Sequence, residues 1–176
     1  MAEKPAGLGA AEAAFVAANR WAVIGLMASM AVLVFANVVS RYLLNASIIW
    51  VEEITRYMMV WVGFLGSGLV LRLGAHIGVD VLQDVLPARA AQTLRAAIVA
   101  LLAATFAAMT WHGVRYVAFA WGQETPVLNW STGAIYLVIP IGSALMLVHL
   151  AFIARGYVAA REYPQDDSFR PEEAVL

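Results

Sequence analysis

The chain reads as an all-α membrane protein with four transmembrane helices, an amphipathic interfacial segment and both termini cytoplasmic. Three observations predict this class. Of 176 residues, 62% are hydrophobic and only 13% charged, with a mean hydropathy of +0.77. A water-soluble domain of that length needs more charge on its surface. The apolar residues fall into long uninterrupted blocks, and the charges sit at the block edges, so lipid is the expected solvent. Residues 1–160 are expected to form one membrane domain with spans near 21–40, 50–72, 95–114 and 133–154, and residues 161–176 a polar, mobile cytoplasmic tail.

Trp21 to Ser40 carries no ionisable side chain between Arg20 and Arg41. At about 1.5 Å per residue such a helix covers roughly 30 Å, the thickness of the hydrocarbon core. Met1 to Arg20 lacks the basic start and small-residue cleavage site of a secretory signal, so this block is kept as a span. The second block, Tyr57 to Leu71, is short. Its helix is expected to start earlier, with Ser47 as N-cap and Glu52 and Glu53 near the positive end of the helix dipole. The third block runs from Ala96 to Val114, between Arg95 and Arg115. The fourth lies within the charge-free stretch Thr125 to Ala154, where Pro140 is expected to bend the helix.

Basic residues set the expected orientation. Lys4, Arg20, Arg72, Arg89, Arg95, Arg155, Arg161 and Arg170 fall on one side, against Arg41, Arg56 and Arg115 on the other. The positive-inside rule therefore places the chain ends in the cytoplasm. Trp21, Trp50, Trp111, Trp121 and Trp130 lie near span ends, as interfacial rings prefer, and Trp61 lies inside a span. Residues 76–86, HIGVDVLQDVL, place His76, Asp80, Gln83 and Asp84 opposite Ile77, Val81, Leu82 and Val85. That pattern suits a helix lying flat in the interface. Arg115 to Thr132 reads as a loop rich in aromatics.

Composition also excludes function classes. The absence of cysteine removes disulfides, iron–sulfur clusters and thiolate zinc sites. A net charge of −1 with no basic tract gives no reason to expect nucleic acid as a partner. The sequence has no nucleophile elbow, phosphate loop or zinc-binding histidine pair, and no span carries a central acid. No catalytic residue, substrate site, metal or cofactor is therefore assigned, and the chain is not expected to be an enzyme.

The densest polar cluster is Arg41, Glu52, Glu53 and Arg56. Spacings of three and four let Arg56 pair with both carboxylates on one helix face. A cation or proton site is one reading; an interfacial network that fixes the helix and docks a partner is the preferred one, because arginines are at hand to neutralise both acids. Histidines 76, 112 and 149 are candidate haem ligands by residue type, but His112 and His149 are expected at opposite membrane faces. Small residues at Ala96, Ala100, Ala104 and Ala108, and at Gly63, Gly66, Ser67 and Gly68, suggest close helix packing without saying against what.

The run from Phe35 to Leu82 resembles the small membrane subunit of tripartite ATP-independent periplasmic (TRAP) transporters, the DctQ-like family. The matching elements are Asn37, Arg41, Tyr42, Asn45 and Trp50, then Glu52, Glu53 and Arg56, then Trp61 and Gly66, and finally Arg72, Gly74, His76, Ile77, Asp80 and Leu82. The resemblance implies an inner-membrane accessory subunit that braces the large permease subunit of a sodium-driven, binding-protein-dependent organic-acid transporter. Its partners would be that permease, a periplasmic substrate-binding protein and the lipid bilayer, with sodium bound by the large subunit. It further implies that Arg41, Glu52, Glu53 and Arg56 fix the scaffold on the periplasmic side, that His76 and Asp80 anchor the interfacial segment, and that the loops around Asn45 and Trp121 face the capture protein. Two rival classes are a haem or quinone anchor subunit of a dehydrogenase and an autonomous small exporter. The transported substrate is not legible in this chain.

Overall fold

The computed structural model describes residues 9–72 and 86–160. These form α1 (Ala10–Leu43), α2 (Ile49–Arg72), α3 (Ala88–Ala120), the short α4 (Thr132–Tyr136) and α5 (Val138–Ala160). Four helical units are long and apolar enough to cross a membrane: α1, α2, α3, and α4 with α5 taken together. The four expected helices are therefore present. The expected interfacial segment lies outside the described residues except for Leu86, and so do His76, Asp80 and the tail.

The helices extend well past the charge-free blocks. At about 1.5 Å per residue, the 34 residues of α1 and 33 of α3 reach roughly 50 Å. The extra turns of α1 repeat Glu12, Phe15, Val16 and Asn19 at helical spacing, and this stripe faces inward, with Val16 and Asn19 buried. Residues 115–120, expected in a loop, continue α3 instead. Pro140 acts three residues upstream of itself. Lacking an N–H, it leaves the Tyr136 carbonyl without its helical partner, and the helix breaks at Leu137, between α4 and α5.

Neighbours run in the order α1, α2, α5, α3, so the last helix sits in the middle of the row. The core lies on its C-terminal half, where Leu71 of α2 and Phe106 of α3 pack on Met146, Leu150, Ile153 and Tyr157. Close approach depends on only one of the glycines the sequence singles out, Gly68, and on others it does not. A Cβ at Gly142 would come within 2.7 Å of the Phe64 Cβ, whereas Gly63 and Gly66 face open space. The alanines 96, 100, 104 and 108 are all exposed, so that stripe is not an internal seam.

Gly133 begins α4 directly against the end of α3. A Cβ there would lie 2.7 Å from the Val117 carbonyl oxygen and 2.8 Å from the Trp121 Cα. Both are backbone atoms that no rotamer change can move. Gly133→Ala is therefore expected to destabilise the protein by about 1–3 kcal/mol, read as a lower melting temperature in detergent; unchanged melting would contradict this packing.

Candidate functional site

The polar side chains gather at two junctions, one near each end of α2. Glu53 and Arg72 mark them, about 29 Å apart along the helix. Between them the helices meet almost entirely through apolar and small residues.

At the first junction the turn between α1 and α2 is stitched by side chains of α1. The Asn37 Oδ1 accepts from the Ile48 N–H at 2.8 Å, and the Ser40 hydroxyl donates to the Ala46 carbonyl at 2.7 Å. Asn37 thus serves the start of α2 in the role expected of Ser47. The Ser47 hydroxyl instead accepts from Arg41 at 3.2 Å. Asn45 takes a left-handed conformation with φ of 53°, which asparagine tolerates better than most residues and which lets the chain reverse there. Arg41 forms an ion pair with Glu52. Both side chains are half exposed (54% and 50%), so solvent screens the pair. Glu52→Gln is accordingly expected to cost under about 1 kcal/mol, a small melting shift that sets a reference for Glu53; a large loss would assign this pair a structural role it lacks here.

Glu53 is different. It is buried, and its partners are not arginines. One carboxylate oxygen accepts from the Tyr57 hydroxyl at 2.8 Å, and the other from the backbone N–H groups of Val127 and Leu128 at 3.1 and 2.8 Å. Two consecutive N–H groups aimed at one oxygen form an anion-binding nest, and the glutamate fills it from another helix. The segment it holds is a compact hairpin between α3 and α4. Glu124 and Ser131 face each other across an isolated antiparallel bridge. The Thr125 hydroxyl accepts from the Trp130 N–H at 3.1 Å, and Asn129 closes the tip with φ of 53°. The ion pair expected between Arg56 and these carboxylates does not form: Arg56 is exposed and makes no ion pair among the described residues. Backbone amides, which satisfy the carboxylate without a second buried charge, take its place. Trp50 is exposed at 44% beside this junction, together with Tyr42, Leu43 and Leu44.

The second junction joins α1, α2 and α5. The Asn19 amide nitrogen donates to the Leu65 carbonyl at 3.0 Å and lies 3.2 Å from His149 Nε2. A carbonyl can only accept, which fixes the amide orientation, so its second hydrogen points to His149. Nε2 must then be the unprotonated nitrogen, and Nδ1 carries the ring proton. The ring is fully buried, with Phe15 at 4.8 Å between centroids, and it presses on Gly68, where a Cβ would fall 2.5 Å from Cδ2. One turn beyond, the buried Arg72 pairs with Glu12 of α1. His149 is thus a tie between three helices, while His112 lines a groove on the opposite half of α3.

Of the residues read from sequence, Arg41, Asn45, Glu52 and Glu53 come together with Trp50 at the first junction. Arg72 stands at the second, and Gly66 and Arg56 join neither. Glu12, Asn19 and Tyr57 are the participants that sequence reasoning misses, although Glu12, Phe15, Val16 and Asn19 carry a legible helical stripe.

Residues 30–157, more than half of the chain, match the model of the family described as tripartite ATP-independent periplasmic transporters, DctQ component. The chain belongs to this family. The DctQ family is one of transporter components rather than of enzymes. With four helices able to cross a bilayer, this DctQ component is a multi-pass inner-membrane protein. Among its relatives is the C4-dicarboxylate TRAP transporter small permease protein DctQ of Vibrio cholerae, 44% identical over 36% of this chain and 27% of the relative. The ectoine TRAP transporter small permease protein TeaB of Halomonas elongata is 26% identical over 76% of this chain and 70% of the relative. The isethionate TRAP transporter permease protein DctMQ of Oleidesulfovibrio alaskensis is 30% identical over 60% of this chain and 17% of the relative. In the Vibrio and Oleidesulfovibrio proteins the matched part is thus well under two thirds of the relative's length.

Proposed function

We propose that this DctQ component is an accessory subunit that braces the large permease subunit of a sodium-driven transporter for organic acids, fed by a periplasmic substrate-binding protein. The observation that carries the reading is the fate of Glu53. The most buried acid of the membrane helices is occupied by two backbone amides and a tyrosine, so it holds a hairpin in place rather than offering a site for cargo. His149 and Arg72 are likewise engaged with Asn19 and Glu12. Sodium and substrate would bind the large subunit. The exposed Tyr42 and Leu43 at the end of α1, and Trp130 on the hairpin, beside turns stiffened by Asn37 and Glu53, suit contacts with the permease or the binding protein at the periplasmic face. The chain ends lie in the cytoplasm in this reading, which the excess of arginine at that side supports.

A pull-down of the tagged chain from detergent-solubilised native membranes tests the proposal. It is expected to recover a large polytopic permease. A flavin- or iron–sulfur-containing dehydrogenase would replace it with the redox-anchor reading, and recovery of this chain alone would favour an autonomous exporter. Because the chain has no cysteine, single cysteines introduced at Asn45 and Ala10 can be labelled without background. Labelling of the first, but not the second, by an impermeant reagent on intact spheroplasts is the expected orientation; the reverse would overturn it.

A further inference from the structure

A groove of ≈ 590 Å³ runs along α3 where that helix meets the start of α5, open on one side. Its volume falls within the range of about 300–1,000 Å³ common to small-molecule sites. Met109, His112, Gly113 and Tyr116 lie at helical spacing along its wall, with Arg115 and Phe119 at the rim and Ile139 opposite. The polarity is graded along the helix. Arg115 lies toward the end of α3, between the exposed Trp111 and Trp121, whose rings prefer the interface, whereas Met109 lies about 9 Å further back along the helix and Ile139 packs beside Gly113 between them. Tyr116 is held edge-on by Tyr136, with centroids 5.1 Å apart at 78°, so the wall is preformed.

The charges are one-sided. Arg115 and His112 are exposed, no acid lines the groove, and neither makes an ion pair or hydrogen bond among the described residues. An arginine at headgroup depth above an apolar trough is complementary to a phosphodiester carried on an acyl chain. We propose that this groove binds one anionic glycerophospholipid, with its phosphate on Arg115 and His112 and an acyl chain against Met109, Gly113 and Ile139. The site is independent of the accessory role, since it uses neither junction. It would give the subunit a fixed lipid at its surface and a preference among headgroups.

The test uses the full chain with its co-purifying partners, placed in nanodiscs of phosphatidylcholine containing a minor fraction of phosphatidylglycerol, and counts retained lipids by native mass spectrometry. The wild type is expected to retain phosphatidylglycerol over phosphatidylcholine. Arg115→Gln should lower that retention about fivefold, the effect of one interfacial cation. Arg115→Lys should keep it, and Arg155→Gln, an exposed cation at the far end of α5, should leave it unchanged. A photo-crosslinker replacing Phe119 should capture lipid. Equal retention of the two lipids by the wild type, undiminished phosphatidylglycerol in Arg115→Gln, or capture of a protein from position 119 would each overturn the proposal, the last by showing that a subunit covers the groove.

Discussion

Replacing Glu53 by alanine is expected to free the hairpin between α3 and α4, and with it the surface proposed to meet the permease. The substitution removes the acceptor for three hydrogen bonds and leaves the Val127 and Leu128 N–H groups without a partner. Hydrogen bonds to a charged acceptor contribute about 1.5–3 kcal/mol each, but Val127 is 42% exposed and water can reach part of the stranded donors, so a loss on the order of 2–4 kcal/mol is expected. Hydrogen exchange at the Val127 and Leu128 amides should then rise on the order of a hundredfold, with little change in the core of α5. Glu53→Gln can keep an oxygen on the two amides and donate to the Tyr57 hydroxyl, but it loses the charge that strengthens these bonds, and should fall between. In cells, Glu53→Ala should lower both the yield of the complex and uptake through poor assembly. Normal yield and uptake, with unaltered exchange at the hairpin, would remove the structural role assigned to this carboxylate.

The second large effect is expected at the three-helix tie. Gly68→Ala places a methyl group 2.5 Å from the His149 ring carbon, and the ring has no exit, being buried between Phe15 and α2. Any shift that relieves the clash strains the hydrogen bond from Asn19 to Nε2, itself only 3.0 Å from the new methyl, and so weakens the link joining α1 to α5. Overpacking is expected to cost about 1–3 kcal/mol, and the weakened hydrogen bond adds to that. His149→Ala alone should also destabilise, by leaving a cavity and an Asn19 hydrogen without an acceptor. The two changes relieve one another, because the missing ring makes room for the new methyl. The double variant should therefore be more stable than the sum of the singles by on the order of 1–3 kcal/mol. Strict additivity would mean that the ring does not press on Gly68.

These two sites mark the limit of what sequence reveals. Charge-free blocks, edge arginines and tryptophans make the four helices legible, because a bilayer imposes length and polarity on each span separately. The motif around Asn37, Arg41, Asn45, Glu52 and Glu53 is legible as a cluster. Its wiring is not. Spacing along one helix offers Arg56 to Glu53, since residues three and four apart share a face. The true partners are backbone amides 74 and 75 positions away, and amides carry no residue signature. Asn19 and His149 are separated by 130 positions, so no periodicity connects them. Glycine misleads for a related reason. Gly63 and Gly66 fit a packing pattern yet meet nothing, whereas Gly133 and Gly142 stand where helices touch, which only the tertiary arrangement decides.

The central claim is that this subunit supports transport without performing it, Glu53, Arg72 and His149 each being engaged in holding its own helices and hairpin. Reconstitution into liposomes tests that most directly. Uptake would be followed with the co-purified large permease and its binding protein, with and without this chain, and with this chain alone under the same sodium gradient. The account predicts no uptake by the chain alone, and uptake by the complete set that falls when Glu53→Ala replaces the wild type. Substrate movement by this chain alone would contradict it.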